Sequence, residues 1–330
     1  MECHNIKTAL EQTPADIAEI IASKASEEDD VDYGQALFQE ALQLQWDPQE
    51  KFGWNKVPSK NDPILEYERF PIYHVPEYWD RLSDIERVTF NRKASAYTIS
   101  QFMYGEALAA YAAARCSSFI PGVYDKGFLA LQVVEEKRHA DVFRRYLLEA
   151  LDGEVYPIST PLQMYYENLS KESRWHFLFV ALHIVIESVA QAGFENMAQY
   201  AQDPLLQEIV SKIEEDEERH VAYGMMTLKR KLTEIPRSEL EELARFAHDS
   251  LVLVSGRYFP EHAYRAVGFS KEDIDRISAL SAESPSRRDF RKRTIGKAWN
   301  NLTELGLLGN SELPQIDALY EESGLTALMQ

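Results

Sequence analysis

Two short steps of one kind constrain this chain more than anything else in it. Glu136 and His139 stand three apart, and Glu217 and His220 repeat that spacing further along. Residues three apart on a helix share a face, one above the other, so each step sets a carboxylate beside an imidazole. A further glutamate precedes each step at one and the same distance: Glu106 before Glu136, and Glu187 before Glu217. The offset between the two sets is equal at all three positions, so the pattern is an internal repeat.

The surrounding sequence turns the repeat into two helical hairpins. Ser83 and Glu86 form a capping box that opens a helix running to about residue 115. Pro121-Gly122 breaks the chain, and a second helix runs over 123–151 to Asp152-Gly153. The break lies midway between Glu106 and Glu136. In an antiparallel pair both then sit roughly 20 Å from the turn and face each other. Helices over 172–200 and 205–231, joined near Asp203-Pro204, do the same for Glu187 and Glu217. An all-α bundle follows, with four carboxylates and two imidazoles at one level. Such groups cannot stay unpaired in a core. Two divalent cations balance the four carboxylates, and oxygen and nitrogen donors without thiolate favour iron or manganese over structural zinc. Glu187 follows the apolar run 180–186, where an unpartnered carboxylate has no place.

Asp216 and Glu135 each precede a candidate ligand glutamate. Ligand histidines usually donate their second N–H to a carboxylate, carbonyl or water. Asp216 is expected on His139, and Glu135 on His220. His183, one turn before Glu187, reads as a satisfied core histidine. Tyr104, Tyr111 and Tyr223 read as core aromatics.

Three regions are expected: an N-terminal helical arm with an extended Pro/aromatic segment (1–80), the bundle (81–235) and C-terminal helices completing the same domain (236–330). In the arm, two helical stretches are separated by the acidic run 27–32, the first starting near Thr13-Pro14. Residues 45–80, with Trp46, Trp54 and Trp79, read as an extended cover. Residues 152–172 read as a connection containing Pro157 and Pro161. Further helices are expected over 238–256, 271–282, 287–305 and 314–323. A net charge of −19 disfavours nucleic acid and anionic membranes as partners. Two cysteines, Cys3 and Cys116, make no disulfide framework, and a reducing cytoplasm is the expected compartment. No signal core is visible at the start. The apolar run 177–192 falls short of the ~20 residues of a bilayer span and carries His183 and Glu187, so it reads as a core helix. The basic run 287–293 stands out in so acidic a chain, as a solvated face or a dock for an acidic electron donor or carrier protein.

With these residues in place, the chain resembles the ferritin-like di-iron carboxylate oxidases, whose bundles carry this Glu plus Glu-x-x-His set. Its nearest look is to the ribonucleotide reductase small-subunit group, including the ligand-binding oxidases. The matching stretches are Trp46-Asp47-Pro48, WDRLSDIER (79–87), FMYGE (102–106), EEKRHADVFRRYL (135–147), His183-Ile184-Val185 and DEERHVAYG (216–224). The resemblance implies a ferritin-like four-helix bundle, two iron ions or a manganese–iron pair, and O2 as co-substrate. It also implies an external electron donor (a ferredoxin or reductase) and a homodimer. The substrate would be small and largely apolar, of fatty-acyl or aryl/amine type, with room left by Ala109, Ala110, Ala113, Ala190 and Gly193. The alternatives are a radical-generating subunit, with Trp46 or Trp54 as relay, and a non-enzymatic iron-binding or ferroxidase protein. Four positions depart from subgroup patterns. Phe143 stands where many small subunits have a radical tyrosine. Leu182 replaces the cross-linking tyrosine of the ligand-binding oxidases. Ala190 replaces a desaturase threonine, and Ile213 replaces a further metal histidine of the arylamine N-oxygenases.

Overall fold

The computed structural model describes residues 28–255, 259–282 and 285–329, with side chains over 35–255, 259–282 and 288–329. The expected first helical stretch near Thr13-Pro14 lies outside the described residues. Helix α1 (Glu28–Gln43) takes in most of the acidic run that was expected to separate two helices.

The bundle is built from α2 (Asp84–Phe119), α3 (Val123–Ala150), α5 (Trp175–Tyr200) and α6 (Pro204–Lys231). Ser83 caps α2 with the reciprocal Ser83–Glu86 bonds. At the end of α3, Asp152 and Gly153 turn the chain at φ 57° and 75°. Asp203 accepts from the Leu205 N–H and caps α6, with Pro204 in its first turn. The region 152–172 is not a plain connection, because α4 (Thr160–Lys171) lies within it. Pro161 marks it: proline suits the first turn of a helix, where its missing N–H costs nothing.

Helices α2 and α3 pack along their length, as do α5 and α6. α5 changes register midway, with a π-helical segment, Val180–Ile186, immediately before Glu187. By length and apolarity α5 could cross a bilayer, but 78% of its most apolar stretch is buried in the fold. The C-terminal part adds α7 (Arg237–Val254), α8 (Glu261–Ala266), α9 (Lys271–Ala282), α10 (Pro285–Glu304), α11 (Pro314–Glu322) and α12 (Leu325–Met329). α7 packs on the π segment, α8 on α2, and α10 along the second half of α5. The short helices α8 and α12 have no counterpart in the sequence expectations.

Residues 45–80 run as extended chain with single helical turns, including Tyr67–Arg69 and Pro71–His74. One backbone bridge pairs Leu65 with Ala201. The buried Asn91 side chain on α2 accepts from the Ile64 N–H at 2.8 Å and donates to the Leu65 carbonyl at 2.6 Å. These bonds fix the segment across the ends of α2 and α5. Apolar side chains form two clusters. One lies toward the α2–α3 turn, around Leu108, Phe179 and Leu228; the other lies at the opposite end, around Phe90, Tyr146 and Leu206. The acidic and histidine residues of the repeat lie on the helices between them.

Candidate metal centre

Each half of the repeat sends its side chains into the bundle. Glu106 projects from α2, Glu136 and His139 from α3, Glu187 from α5, and Glu217 and His220 from α6; all six are buried. They form two overlapping groups in which one donor atom per residue lies within 4.8 Å of the others. One is Glu106, Glu136, His139 and Glu217; the other is Glu136, Glu187, Glu217 and His220. Glu136 and Glu217 belong to both.

The two imidazoles are oriented alike. His139 Nδ1 lies 3.1 Å from Glu106 Oε2 and 3.3 Å from Glu217 Oε1, and its Nε2 lies 3.0 Å from Asp216 Oδ2. His220 Nδ1 lies 3.1 Å from Glu136 Oε1, and its Nε2 lies 2.8 Å from Glu135 Oε2. In each ring one nitrogen faces the carboxylates and the other is held by an acid behind it. Asp216 and Glu135 are buried too, and cations offset them. Arg219 donates to Asp216 Oδ1 at 2.9 Å and to Glu135 Oε1 at 3.0 Å. Gln45 donates to Glu135 at 2.6 Å, and Trp46 Nε1 donates to Asp216 Oδ2 at 2.7 Å. Arg138 lies over the Trp46 ring and donates to the Trp46 carbonyl. Arg138 and Arg219 were missed at sequence level, though a signal existed. Each stands immediately before a repeat histidine, so the pair obeys the same repeat offset as the ligand candidates. Gln45 carries no such signal.

Gln132 was also missed. It stands one helical turn before Glu136, and its amide donates to Glu136 Oε1 at 3.0 Å and Glu187 Oε1 at 2.5 Å. His183 Nε2 donates to Gln132 Oε1 at 3.1 Å. Burial and the neighbouring His220 hold the His183 pKa down at about 3, so its ring is neutral. Among the described residues, the hydrogen bond that links His183 to the cluster is the one to Gln132. Ile213, where the N-oxygenase pattern has an additional histidine, is fully buried among apolar side chains. Phe143 packs against Phe102 and Phe194. Tyr223 stacks on Phe128 at 3.9 Å and donates to Asp125.

The cluster's electrostatics ask for positive charge. Burial raises the Glu106 and Glu187 carboxyls well above their ordinary range, and neighbouring Glu217 adds to both. Burial pushes His139 and His220 down, but the carboxylates around them outweigh it, and both are raised well above a free imidazole. The two imidazoles in turn hold Glu136 low. Glu136 Oε2, Glu187 Oε2, Glu217 Oε1 and His220 Nδ1 are buried without a hydrogen-bond partner among the described residues. Orphaned buried acceptors are costly unless a ligand takes them. Four inward-facing carboxylates and two imidazoles, all hard or borderline donors, fit a pair of divalent iron or manganese ions.

A cavity of about 390 Å³ opens from this cluster. Glu106, Glu187 and Glu217 form its inner end, and Phe102, Ala109, Ala190 and Gly193 line the adjoining wall. Of the small residues expected to leave room, Ala110 and Ala113 do not line it; Ala113 is packed in the apolar cluster toward the α2–α3 turn.

Residues 27–306 match the family profile described as p-aminobenzoate N-oxygenase AurF. Among solved structures, an R2-like ligand-binding oxidase with an aerobically reconstituted metal cofactor is similar over 82% of this chain and 92% of its own, with TM-score 0.53 and 14% identity. A single-residue variant of an R2-like ligand-binding oxidase, carrying an aerobically reconstituted Mn/Fe cofactor, matches with the same coverage, TM-score and identity. At that identity the likeness is one of fold, an all-α ferritin-like bundle.

Proposed function

The chain belongs to the p-aminobenzoate N-oxygenase AurF family, and from that membership we propose a role for each residue of the centre. The protein is a non-haem dinuclear oxidoreductase that activates O2. In our reading Glu106 and His139 would hold one metal ion and Glu187 and His220 the other, with Glu136 and Glu217 within reach of both. The carrying observation is the pair of overlapping four-residue groups with those two glutamates in common. Two irons are the first assignment and manganese–iron the second. When bound, the pair supplies the redox chemistry that reduces O2 and oxidises the substrate.

The protein's own residues set the conditions. Asp216 and Glu135 hold the outer N–H of each imidazole and so leave both Nδ1 lone pairs facing inward. The buried Gln132, which does not line the cavity, holds Glu187 and Glu136, with His183 fixing the amide behind it. The cavity wall of Phe102, Ala109, Ala190 and Gly193 excludes water and presents an organic group to Glu106, Glu187 and Glu217. An aromatic amine is the first substrate to try, because the family's named member N-oxygenates p-aminobenzoate. A fatty-acyl substrate is the second. The described part of the 1–80 arm covers the 81–235 bundle, and the described part of 236–330 completes the same domain. An external electron donor, a homodimer and a reducing cytoplasm complete the reading, the last in keeping with a buried free thiol at Cys116.

Metal content decides it. Supplied with iron or manganese, the wild type takes up about two ions per chain, and Glu136→Ala, which removes a shared ligand, takes up far fewer. Equal uptake by the two proteins would sink the assignment. One observation favours a second reading, radical transfer to a partner protein. Trp46, Asp216 and His139 form a hydrogen-bonded chain from the covering segment to the centre. If it carries electrons, Trp46→Phe keeps its metal but its centre is reduced more slowly in stopped-flow absorption. An unchanged reduction rate removes that reading.

A further inference from the structure

The basic run 287–293 is left without a role by the metal chemistry. The structure places part of it on the wall of the cavity that ends at the metal centre. From Glu106 the cavity follows α2 back to Ala94, and from Glu187 it follows α5 out to Tyr200. Twelve or thirteen helical residues at 1.5 Å each make that path about 18–20 Å long, well beyond a single aromatic ring. The two ends differ in chemistry. The inner end holds the candidate ligands and small or apolar side chains. At the outer end stand Arg69, Arg291, Arg293 and His74, with Glu68 as the acid among the described residues that line it there.

These cations are set in place by three elements. Arg69 follows the segment pinned by Asn91, and its guanidinium lies over the Phe290 ring of α10 at 4.3 Å. Arg291 donates to the Ala282 carbonyl at 3.0 Å, and Arg293 to Gln199 Oε1 at 3.2 Å. Gln199 lies one turn beyond Asn196 on α5. Asn196 is 5% exposed and lines the cavity, and its Oδ1 has no hydrogen-bond partner among the described residues. A buried polar atom left open on a cavity wall points to a ligand with polar atoms there. In a chain of net charge −19 a local excess of guanidinium groups is an exception, and planar donors of this kind suit carboxylate or phosphate.

We propose that the cavity takes an elongated amphiphile, with its anionic group at Arg69, Arg291 and Arg293, its polar neck at Asn196, and its uncharged end at Glu106, Glu187 and Glu217. The inference rests on the metal-centre reading for what happens at the inner end, but the binding itself does not need metal. The ligand enters uncharged end first. The carboxylate cluster therefore meets the part of the molecule to be oxidised and never its charge.

Calorimetric titration of the full chain, metal-loaded and chelator-treated, tests this with dodecanoate and dodecan-1-ol as probes. Dodecanoate is expected to bind on the order of tenfold or more tightly than the alcohol, the worth of one charge-assisted contact, in both preparations. Arg69→Gln combined with Arg291→Gln brings dodecanoate down to the affinity of the alcohol and leaves the alcohol unchanged. Ala190→Trp, at the inner end, weakens both probes. A carboxylate preference that survives the arginine changes but disappears on chelation puts the charge at the metals and overturns the proposal, while the metal-centre reading stands. Failure of both probes to bind the wild type overturns it as well. If arginine-dependent binding persists while Glu136→Ala takes up as much metal as wild type, the metal reading fails and the ligand assignment holds.

Discussion

Gly224 shows how closely the residues behind the centre are fitted. A Cβ there would lie 2.2 Å from His183 Cβ and 2.6 Å from its Cγ, so α6 approaches the π segment of α5 only because this side chain is absent. Alanine is the better helix former by about 0.5–1 kcal/mol, yet overpacking typically costs about 1–3 kcal/mol. Since His183 is buried on every side, the clash wins. Gly224→Ala is expected to lose about 1–2 kcal/mol in urea unfolding; a rise in the midpoint would mean that His183 has room to move. The residue scale also shows where sequence reading stops. The six repeat residues share two spacings, and those can be counted. Gln132 reaches Glu136 one turn away, but its contact with Glu187 spans 55 residues and that of Gln45 with Glu135 spans 90, which no local pattern encodes.

Among the elements, α2 and α3 were legible because helix geometry converts residue number into height. The break at Pro121-Gly122, midway between the two glutamates, was enough to set Glu106 opposite Glu136. The capping box at Ser83 starts α2 where the sequence places it, and Ser83→Ala is expected to cost about 1 kcal/mol, read as a lower thermal midpoint; no change would show that the N–H groups of that first turn find water instead. α4 was not legible in the same way, since Pro157 and Pro161 read as breaks when one of them is a helix start. The π segment was hidden for another reason. Val180–Ile186 is apolar at every position but His183, so its sequence has no polar stripe to reveal a change of register. The register shift sits directly before Glu187, the ligand candidate whose carboxylate Gln132 holds.

On the scale of the molecule, the bundle holds a charged layer between two apolar clusters, and a bound metal pair would offset the charge of that layer. An ion that binds only the folded chain stabilises it by about 2.7 kcal/mol at a hundredfold excess over its dissociation constant. Chelator-treated protein is therefore expected to melt several degrees lower than protein reloaded with iron or manganese, and Glu136→Ala should show little of that difference. Equal melting of loaded and metal-free wild type would argue against binding within the bundle. The sequence by itself determined the all-α class, the two hairpins, the six inward residues and the two acids behind the imidazoles. It could do so because helical periodicity is a local rule that holds over a whole repeat. Only the tertiary structure decided which glutamates are common to both groups and that Arg219 ties Asp216 to Glu135. It alone set Arg69 and Arg291, which lie 222 residues apart (291 − 69), on the wall of one cavity. Those depend on how separate helices and a covering segment pack, and close packing is settled by side-chain shape across the whole core.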